Sequence, residues 1–263
     1  MLVRSALDRF AYDCRAMAQT PDYGLDAPGV VRNLLLVAAA GFIIWLTVAL
    51  RWWPGRPIAG AALWTAVGCA AMACWMIYDS KIGKVRDREA LLDRIPWNGN
   101  ERVLDVGCGR GLLLVGAAKR LSSGSAVGID LWQAEDLSGN RPEPTMENAK
   151  IEGVADRVEV RTADMREIPF PDAAFDVILS SAAIHNLYAA ADRAKALSEI
   201  ARVLKPGGRV LIDDIRHYGE YASALRERGC AVARVSSVIM MIFLAAITFG
   251  SLRPATLLGR KTA

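Results

Sequence analysis

Asp105, Gly107, Gly109 and Gly111 fall together in the run Val103-Leu104-Asp105-Val106-Gly107-Cys108-Gly109-Arg110-Gly111. A short apolar strand that runs into a glycine-rich turn and opens a helix makes a ligand cradle. Glycine lets backbone approach a ligand with no Cβ in the way, and the amides of the loop and the helix start then face that ligand. Asp130 closes a second apolar run, Ala126-Val127-Gly128-Ile129. An acid about 20 residues past such a loop, at the end of the second strand, is placed to accept both hydroxyls of a ribose. Dinucleotide enzymes space the loop G-x-G-x-x-G/A. From Gly107 this chain reads G-C-G-R-G-L, with Leu112 in the sixth place, which disfavours a nicotinamide oxidoreductase. The chain has two histidines, His185 and His217. Both follow predicted strands, at the C-terminal ends where doubly wound sheets place ligands.

Positioning these residues requires an alternation of strands and helices. Short apolar runs predict strands at 102–106, 125–130, 157–161, 174–180, 208–213, 231–236 and 255–260. Helices are predicted near 85–94, 110–121, 143–152, 189–203 and 217–228. Such alternation implies an α/β fold: a doubly wound, mostly parallel seven-stranded sheet covered on both faces.

The acid, the offset third glycine and three downstream motifs together resemble class I S-adenosylmethionine (SAM)-dependent methyltransferases, whose loop signature is D-x-G-x-G-x-G. The downstream motifs are Arg161-Thr162-Ala163-Asp164-Met165, the fourth-strand run from Phe170 to Ser181, and the run from Glu199 to Val210 with its Lys205-Pro206-Gly207-Gly208 turn. The resemblance spans residues 84–236 and is nearest to small-molecule methyltransferases related to quinone-biosynthesis enzymes. It implies SAM as cofactor, S-adenosylhomocysteine as product, and an antiparallel last strand. It also implies a cofactor-binding set of Asp105, Gly107, Cys108, Gly109, Gly111, Asp130, Leu131, Trp132, Asp164, Met165 and Ser180. Within that set Asp105 holds the amino group, Asp130 the ribose and Asp164 the adenine amine, with Leu131 and Trp132 flanking the ring. The fourth strand's end faces the methyl group. His185 is therefore the candidate catalytic residue, as a base or by orienting the acceptor; the alternative is a histidine that packs over the cofactor. Asp214, His217 and Tyr218 follow the fifth strand and face the same site. For His217 a strand-end position without a catalytic role carries more weight. Nothing in the residues calls for a metal.

Outside that region the chain changes character. Apolar residues make up 53% of it, and the excess is concentrated in 34–78 and 238–250. Leu34–Leu50 would be about 26 Å long as a helix, near the hydrocarbon thickness of a bilayer. A turn at Arg51–Pro57 leads to a second charge-free stretch, Ile58–Tyr78, in which Gly60, Gly68 and several alanines permit close helix contact. Trp45, Trp52, Trp53, Trp64, Trp75 and Tyr78 cluster there, as interfacial aromatics do. The pattern predicts a transmembrane hairpin; a buried hairpin of a soluble protein is the weaker alternative, because two such runs are hard to bury in a chain of 263 residues. Lys81, Lys84, Arg86, Arg88 and Arg94 follow the second stretch, which by the positive-inside rule leaves the later domain cytoplasmic.

The domain organisation read from these features is an N-terminal amphipathic segment (1–33), a hairpin (34–80) and a methyltransferase domain (81–263) with an apolar insert at 238–252. Thirteen apolar residues at 238–250 are too few to span a bilayer. They either dip into the membrane beside the site or pack against the hairpin or core. The amphipathic segment either lies on the membrane or packs on the catalytic domain. Five cysteines without metal-like or paired spacing suit a reducing compartment, and a net charge of +4 gives no case for nucleic acid. The expectation is a methyltransferase of the bacterial inner membrane that acts on a small lipophilic acceptor: a quinone, a lipid or a thiol. A SAM-binding membrane sensor or scaffold without turnover is the alternative.

Overall fold

A computed structural model describes residues 20–51, 56–133, 135–239, 241–242 and 253–262. The first 19 residues of the predicted amphipathic segment lie outside the described residues. So do residues 52–55 of the hairpin turn and, from the apolar insert, residue 240 and residues 243–252.

The chain forms two compact units. One comprises Arg88–Trp132 and Arg141–Ala263 with residues 20–22; the other comprises Tyr23–Asp87 and Gln133–Asn140. The first unit holds β1 (Arg102–Val106), α4 (Leu112–Ala118), β2 (Ser125–Asp130), α5 (Pro142–Ile151), β3 (Val158–Thr162), β4 (Phe175–Ser181), α6 (Ala190–Val203), β5 (Leu204–Asp214), α7 (Tyr218–Glu227), β6 (Cys230–Arg234) and β7 (Ala255–Lys261). The sheet order is β3-β2-β1-β4-β5-β7-β6. Strands β1 to β5 pair in parallel, and β7 runs antiparallel between β5 and β6. This is the mixed seven-stranded sheet that the alternation and the resemblance imply.

The two-residue period of the strands divides the core. Leu104, Val106, Ile178, Val210 and Ile212 face one way and pack with Leu197, Ile200, Tyr221 and Leu225 of α6 and α7. Val103, Val177, Leu179 and Leu211 face the other way and pack with Leu113, Leu114 and Ala149 of α4 and α5. Side chains that alternate along a strand must serve opposite faces, so both faces are covered and the strands read as near-continuous apolar runs. The Lys205-Pro206-Gly207-Gly208 run is not a turn before the strand, as expected, but an irregularity inside β5. Phe175 pairs with Leu204 and Val177 with Arg209, so the run bulges out of register within the ladder. Gly207 takes φ +77° there, a backbone conformation that favours glycine.

The second unit is built on two helices, α1 (Pro28–Arg51) and α2 (Arg56–Tyr78). A π-helical turn over Asp79–Gly83 follows, and α3 (Lys84–Leu92) begins in this unit. The helices extend beyond the expected Leu34–Leu50 and Ile58–Tyr78. Pro28 sits at the start of α1, where its missing N–H costs nothing. Their contact does not use Gly60 or Gly68, which have no neighbour within 4 Å of an added Cβ. The close approach is at Gly41, where a Cβ would stand 2.9 Å from the Ala62 carbonyl oxygen. Ala59, Ala66 and Ala73, one heptad apart, are the buried face of α2. The hydroxyls of Thr47 and Thr65 donate to carbonyls of their own helix, which satisfies these two groups on otherwise apolar surfaces.

Residues 133–140, between β2 and α5 in sequence, belong to this unit. Asp26 bridges Leu137, and the Ala27 amide donates to the Asp136 carbonyl. Lys84 ties the same segment down through the carbonyls of Tyr23 and Gly24 and the carboxylate of Asp26. Arg88, in the first unit, is 3% exposed and pairs with Glu152. Lys84 and Arg88, both read as orientation signals, thus also hold structure.

Candidate active site

The loop between β1 and α4 takes its shape from three glycines, Gly107, Gly109 and Gly111, at φ +72°, +50° and +84°. A Cβ on Gly107 would sit 2.3 Å from that of Ala183, and one on Gly111 would sit 2.8 Å from Thr145 Cγ2. The amides of Gly107 and Cys108 donate to the Ile129 carbonyl, which fixes the loop to the end of β2. The Thr145 hydroxyl donates to the Gly109 carbonyl from α5.

Asp130 closes the cradle. One carboxylate oxygen accepts the Gly109 amide at 2.8 Å, and the other accepts the Trp132 amide at 2.6 Å. A carboxylate has about four acceptor positions, so these two bonds aim it while leaving capacity for hydroxyl donors. Trp132 adopts φ +60°, and its indole N–H donates to the Thr162 hydroxyl at the end of β3. Leu131 is exposed between them. Met165 lies on the other side, with its terminal methyl 3.6 Å from where a Gly107 Cβ would be. An acidic group at the end of β2, an indole and a thioether thus stand around a cradle with no room for a Cβ, and these residues fit an adenosyl ligand.

Asp105, on β1 below the loop, is 2% exposed. Burial lifts its carboxyl to about 8; a hydrogen bond from the Leu114 amide opposes the rise, and the charge on Asp130 adds to it. Two side chains of the expected set face protein. The buried Cys108 thiol lies where a Gly128 Cβ would be, and burial raises it far above the usual thiol range. The Ser180 hydroxyl, 1% exposed, donates to the Val106 carbonyl. Asp164 is engaged by Arg166, whose amide, Nε and Nη2 all donate to its oxygens at 2.6–3.1 Å. This guanidinium holds the carboxyl below its ordinary range, so a ligand amine would share that carboxylate with Arg166.

His185 lies in a short 3-10 turn, Ile184–Asn186, just after β4. Two residues earlier, Ala183 is the neighbour that forbids a side chain at Gly107. The turn that carries the histidine therefore passes directly over the glycine loop. His185 Nδ1 is 2.6 Å from Asp214 Oδ1, and the His185 amide donates to Asp214 Oδ2 at 3.1 Å. Asp214 is 3% exposed and also accepts the Ile215 amide and the Tyr221 hydroxyl. Arg193 braces the same turn by donating to the carbonyls of Leu187 and Tyr188 while pairing bidentately with Glu220. His217 sits at φ +59° beside Glu220, with its pKa lowered first by burial and then by the Arg193 charge.

Two features are not marked in the sequence. The sequence brings Asp214 near the site but does not pair it with His185. Nothing local marks Asn148, whose Oδ1 accepts the Asp22 amide and whose Nδ2 donates to the carbonyls of Asp22 and Arg110. An Arg110–Asp22 ion pair completes that tie between the glycine loop and the chain ahead of α1. Residues 126 positions apart carry no local signal of pairing.

Residues 104–212 match the family described as a methyltransferase domain. The chain is 33% identical over 156 residues to the methyltransferase GfsG of Streptomyces halstedii, covering 58% of this chain and 52% of that protein. It is 37% identical over 126 residues to the ubiquinone/menaquinone biosynthesis C-methyltransferase UbiE of Geotalea daltonii, covering 48% and 50%. The chain spans about half the length of the curated relatives it matches. Among solved structures, a geranyl diphosphate methyltransferase in complex with GPP and sinefungin superposes with a TM-score of 0.53 at 19% identity. That superposition covers 67% of this chain and 77% of the other. Residues 104–212 therefore match a methyltransferase domain, and the sheet that carries them has the fold of solved methyltransferases.

Proposed function

We propose that this protein is a membrane-anchored enzyme that methylates a small, lipophilic acceptor, a quinone, a lipid or a thiol, with SAM as donor. The observation that carries the reading is the Asp130 clasp: a carboxylate aimed by two amides across a loop of three left-handed glycines. SAM supplies a methyl group already activated on a sulfonium, so the protein's task is positioning and exclusion of water. Gly107, Gly109 and Gly111 would shape the cradle, Asp130 would hold the ribose and Asp105 the amino group. Asp164 would meet the adenine, with Leu131, Trp132 and Met165 around the ring. His185 would face the acceptor.

The anchor is supported by α1 and α2, of 24 and 23 residues. At 1.5 Å per residue each is about 35 Å long, against a hydrocarbon core of about 30 Å. Both pass by length and composition as membrane spans, and their outer faces display Leu36, Ile43, Trp64 and Trp75. A contiguous apolar surface of that kind needs a partner. An anchor concentrates the enzyme where a membrane-dissolved acceptor resides, and the relative named for quinone methylation points to the same class. With the cations after α2 on the inner side, the methyltransferase domain lies in the cytoplasm at a bacterial inner membrane.

Calorimetric titration of the detergent-solubilised chain with SAM and S-adenosylhomocysteine tests the cofactor assignment. Asp130→Ala removes two charge-assisted bonds to hydroxyls, each worth about 1.5–3 kcal/mol, and should weaken binding at least tenfold. Folded wild-type protein that binds neither compound would sink the reading. Binding without methyl transfer to extracted lipids or thiols would favour a SAM-dependent sensor.

A further inference from the structure

Asp214 and Tyr221 form a buried support behind His185, and we infer that they lock the His185 ring with Nδ1 protonated and Nε2 free to take a proton, so that the methyl acceptor is a group that gives up a proton on transfer, a hydroxyl or thiol above all. This inference rests on the proposed methyl transfer and names its acceptor class.

The geometry leaves little choice of tautomer. Asp214 Oδ1 accepts the Ile215 amide at 2.7 Å and faces His185 Nδ1 at 2.6 Å; Oδ2 accepts the His185 amide at 3.1 Å and the Tyr221 hydroxyl at 3.3 Å. Two of these donors are backbone amides, which cannot reverse their roles. Tyr221 is fully buried, and burial followed by the Asp214 charge pushes its phenol well above the usual range, so it keeps its proton and donates. With those three donors on a carboxylate, the fourth close partner, Nδ1, is also a donor. In a neutral imidazole Nε2 then carries the lone pair. The His185 side chain is 17% exposed and that of Asp214 only 2%. The ring is thus partly open beside the glycine loop, while its support is sealed.

Among the described residues, Asp214 is the acid paired with the ring. Glu220 pairs with Arg193 and lies beside His217, and the His217 ring is tilted against that of Tyr221 with centroids 6.3 Å apart. A group held in this way takes a proton at Nε2 and is of no use to an acceptor without one, such as a tertiary amine. In the transfer, the bond from acceptor oxygen or sulfur to the methyl carbon forms and the carbon–sulfur bond of the donor breaks, its electron pair staying on the departing thioether. The acceptor's proton passes to Nε2. Asp214 and Tyr221 are positioning residues: they act on His185 and touch no reacting atom.

The chain's two histidines make the test direct. Ring-15N NMR of the full chain in detergent, assigned with His217→Asn, should show His185 as the Nδ1–H tautomer with a strongly deshielded proton. That proton should be lost in Asp214→Asn and shifted in Tyr221→Phe. An Nε2–H tautomer in the wild type overturns the inference without touching SAM binding, which calorimetry reads separately. For the acceptor, SAM-loaded protein is given 4-nonylphenol, 1-dodecanethiol and N,N-dimethyldodecylamine. Transfer to the phenol or thiol but not the amine is expected. Transfer to the amine alone, or to neither phenol nor thiol, overturns the acceptor assignment.

With a working acceptor, Asp214→Asn should lower kcat about 100-fold at unchanged SAM affinity. A loss of kcat with the Nδ1–H tautomer and its deshielded proton intact would mean a merely structural role. The groups facing His185 from the packed elements are Asp214 and Tyr221, with Arg193, His217 and Glu220 behind them. Tyr221→Phe, which keeps the ring in the core, guards against failure of Asp214→Asn to fold.

Discussion

A carboxyl held at about 8 inside the sheet has a signature in solution. Folded Asp105 keeps its proton up to about 8, whereas the unfolded residue loses it near 3.8. Between those values the folded state binds more protons, so stability falls as pH rises. The contribution is complete below pH 3.8 and gone once pH passes 8. Asp105→Asn keeps the shape and removes the titration. The variant should therefore gain on the wild type by a few kcal/mol between pH 5 and pH 8.5. Thermal melts at the two pH values read this, and an equal difference at both would refute the buried-acid account. The residue is also the proposed partner of the SAM ammonium. Wild-type binding near pH 7 should then release a proton, seen as a dependence of binding heat on buffer ionisation enthalpy, and Asp105→Asn should not release it. Asp105 and Asp130 were legible in the sequence because strand ends and a glycine loop mark their positions. The Asn148 tie to Asp22 was not, since nothing local distinguishes a buried amide on α5 from a surface one.

The β1–α4 loop supplies a comparison between two glycines of almost equal backbone strain. Gly107 has φ +72° and Gly153 has φ +73°. A Cβ at Gly153 meets nothing within 4 Å, whereas one at Gly107 runs into Ala183 at 2.3 Å. Gly153→Ala should cost about 1 kcal/mol through the left-handed backbone alone. Gly107→Ala adds overpacking of the turn that carries His185 and should cost roughly 2–4 kcal/mol, with loss of SAM binding. Chemical denaturation of both variants separates the effects; equal losses would show that the Ala183 contact gives way freely. Element existence and order were readable because strand and helix periods differ, and the seven strands fell within a few residues of expectation. The exception is instructive. Pro206 and two glycines looked like a turn ahead of β5, yet Leu204 already pairs with Phe175. Pairing across the sheet overrode the local turn chemistry. In the helical unit the same logic failed at Gly60 and Gly68, which are small but face outward, while Gly41 on the partner helix makes the contact. Small residues permit close packing without saying which face will use it.

At the scale of the molecule, the question is whether the two apolar regions act on one lipid phase. After Glu227 the chain contains no acid: residues 228–263 carry Arg228, Arg234, Arg253, Arg260 and Lys261. Val238, Ile239 and Ile242 are 51%, 81% and 58% exposed at the C-terminal end of β6. Cations border them, since the Arg94 guanidinium donates to the Val235 carbonyl and that of Arg234 lies over the Tyr218 ring. Apolar side chains inside a basic rim match the surface of an anionic bilayer, each cation near the surface contributing about 1 kcal/mol. A neutral bilayer offers only the apolar part of that attraction. Hydrogen–deuterium exchange of the full chain in nanodiscs makes the distinction. Exchange over residues 236–253 should be slower in phosphatidylglycerol discs than in phosphatidylcholine discs. The difference should shrink at high salt and in Arg234→Gln/Arg253→Gln. If the proposed hairpin spans the bilayer, exchange over 34–50 and 58–78 should be slow in both kinds of disc, because burial of these charge-free stretches owes nothing to lipid charge. Equal exchange over 236–253 in both lipids and in detergent would assign that segment to packing within the protein and leave the membrane proposal resting on the hairpin.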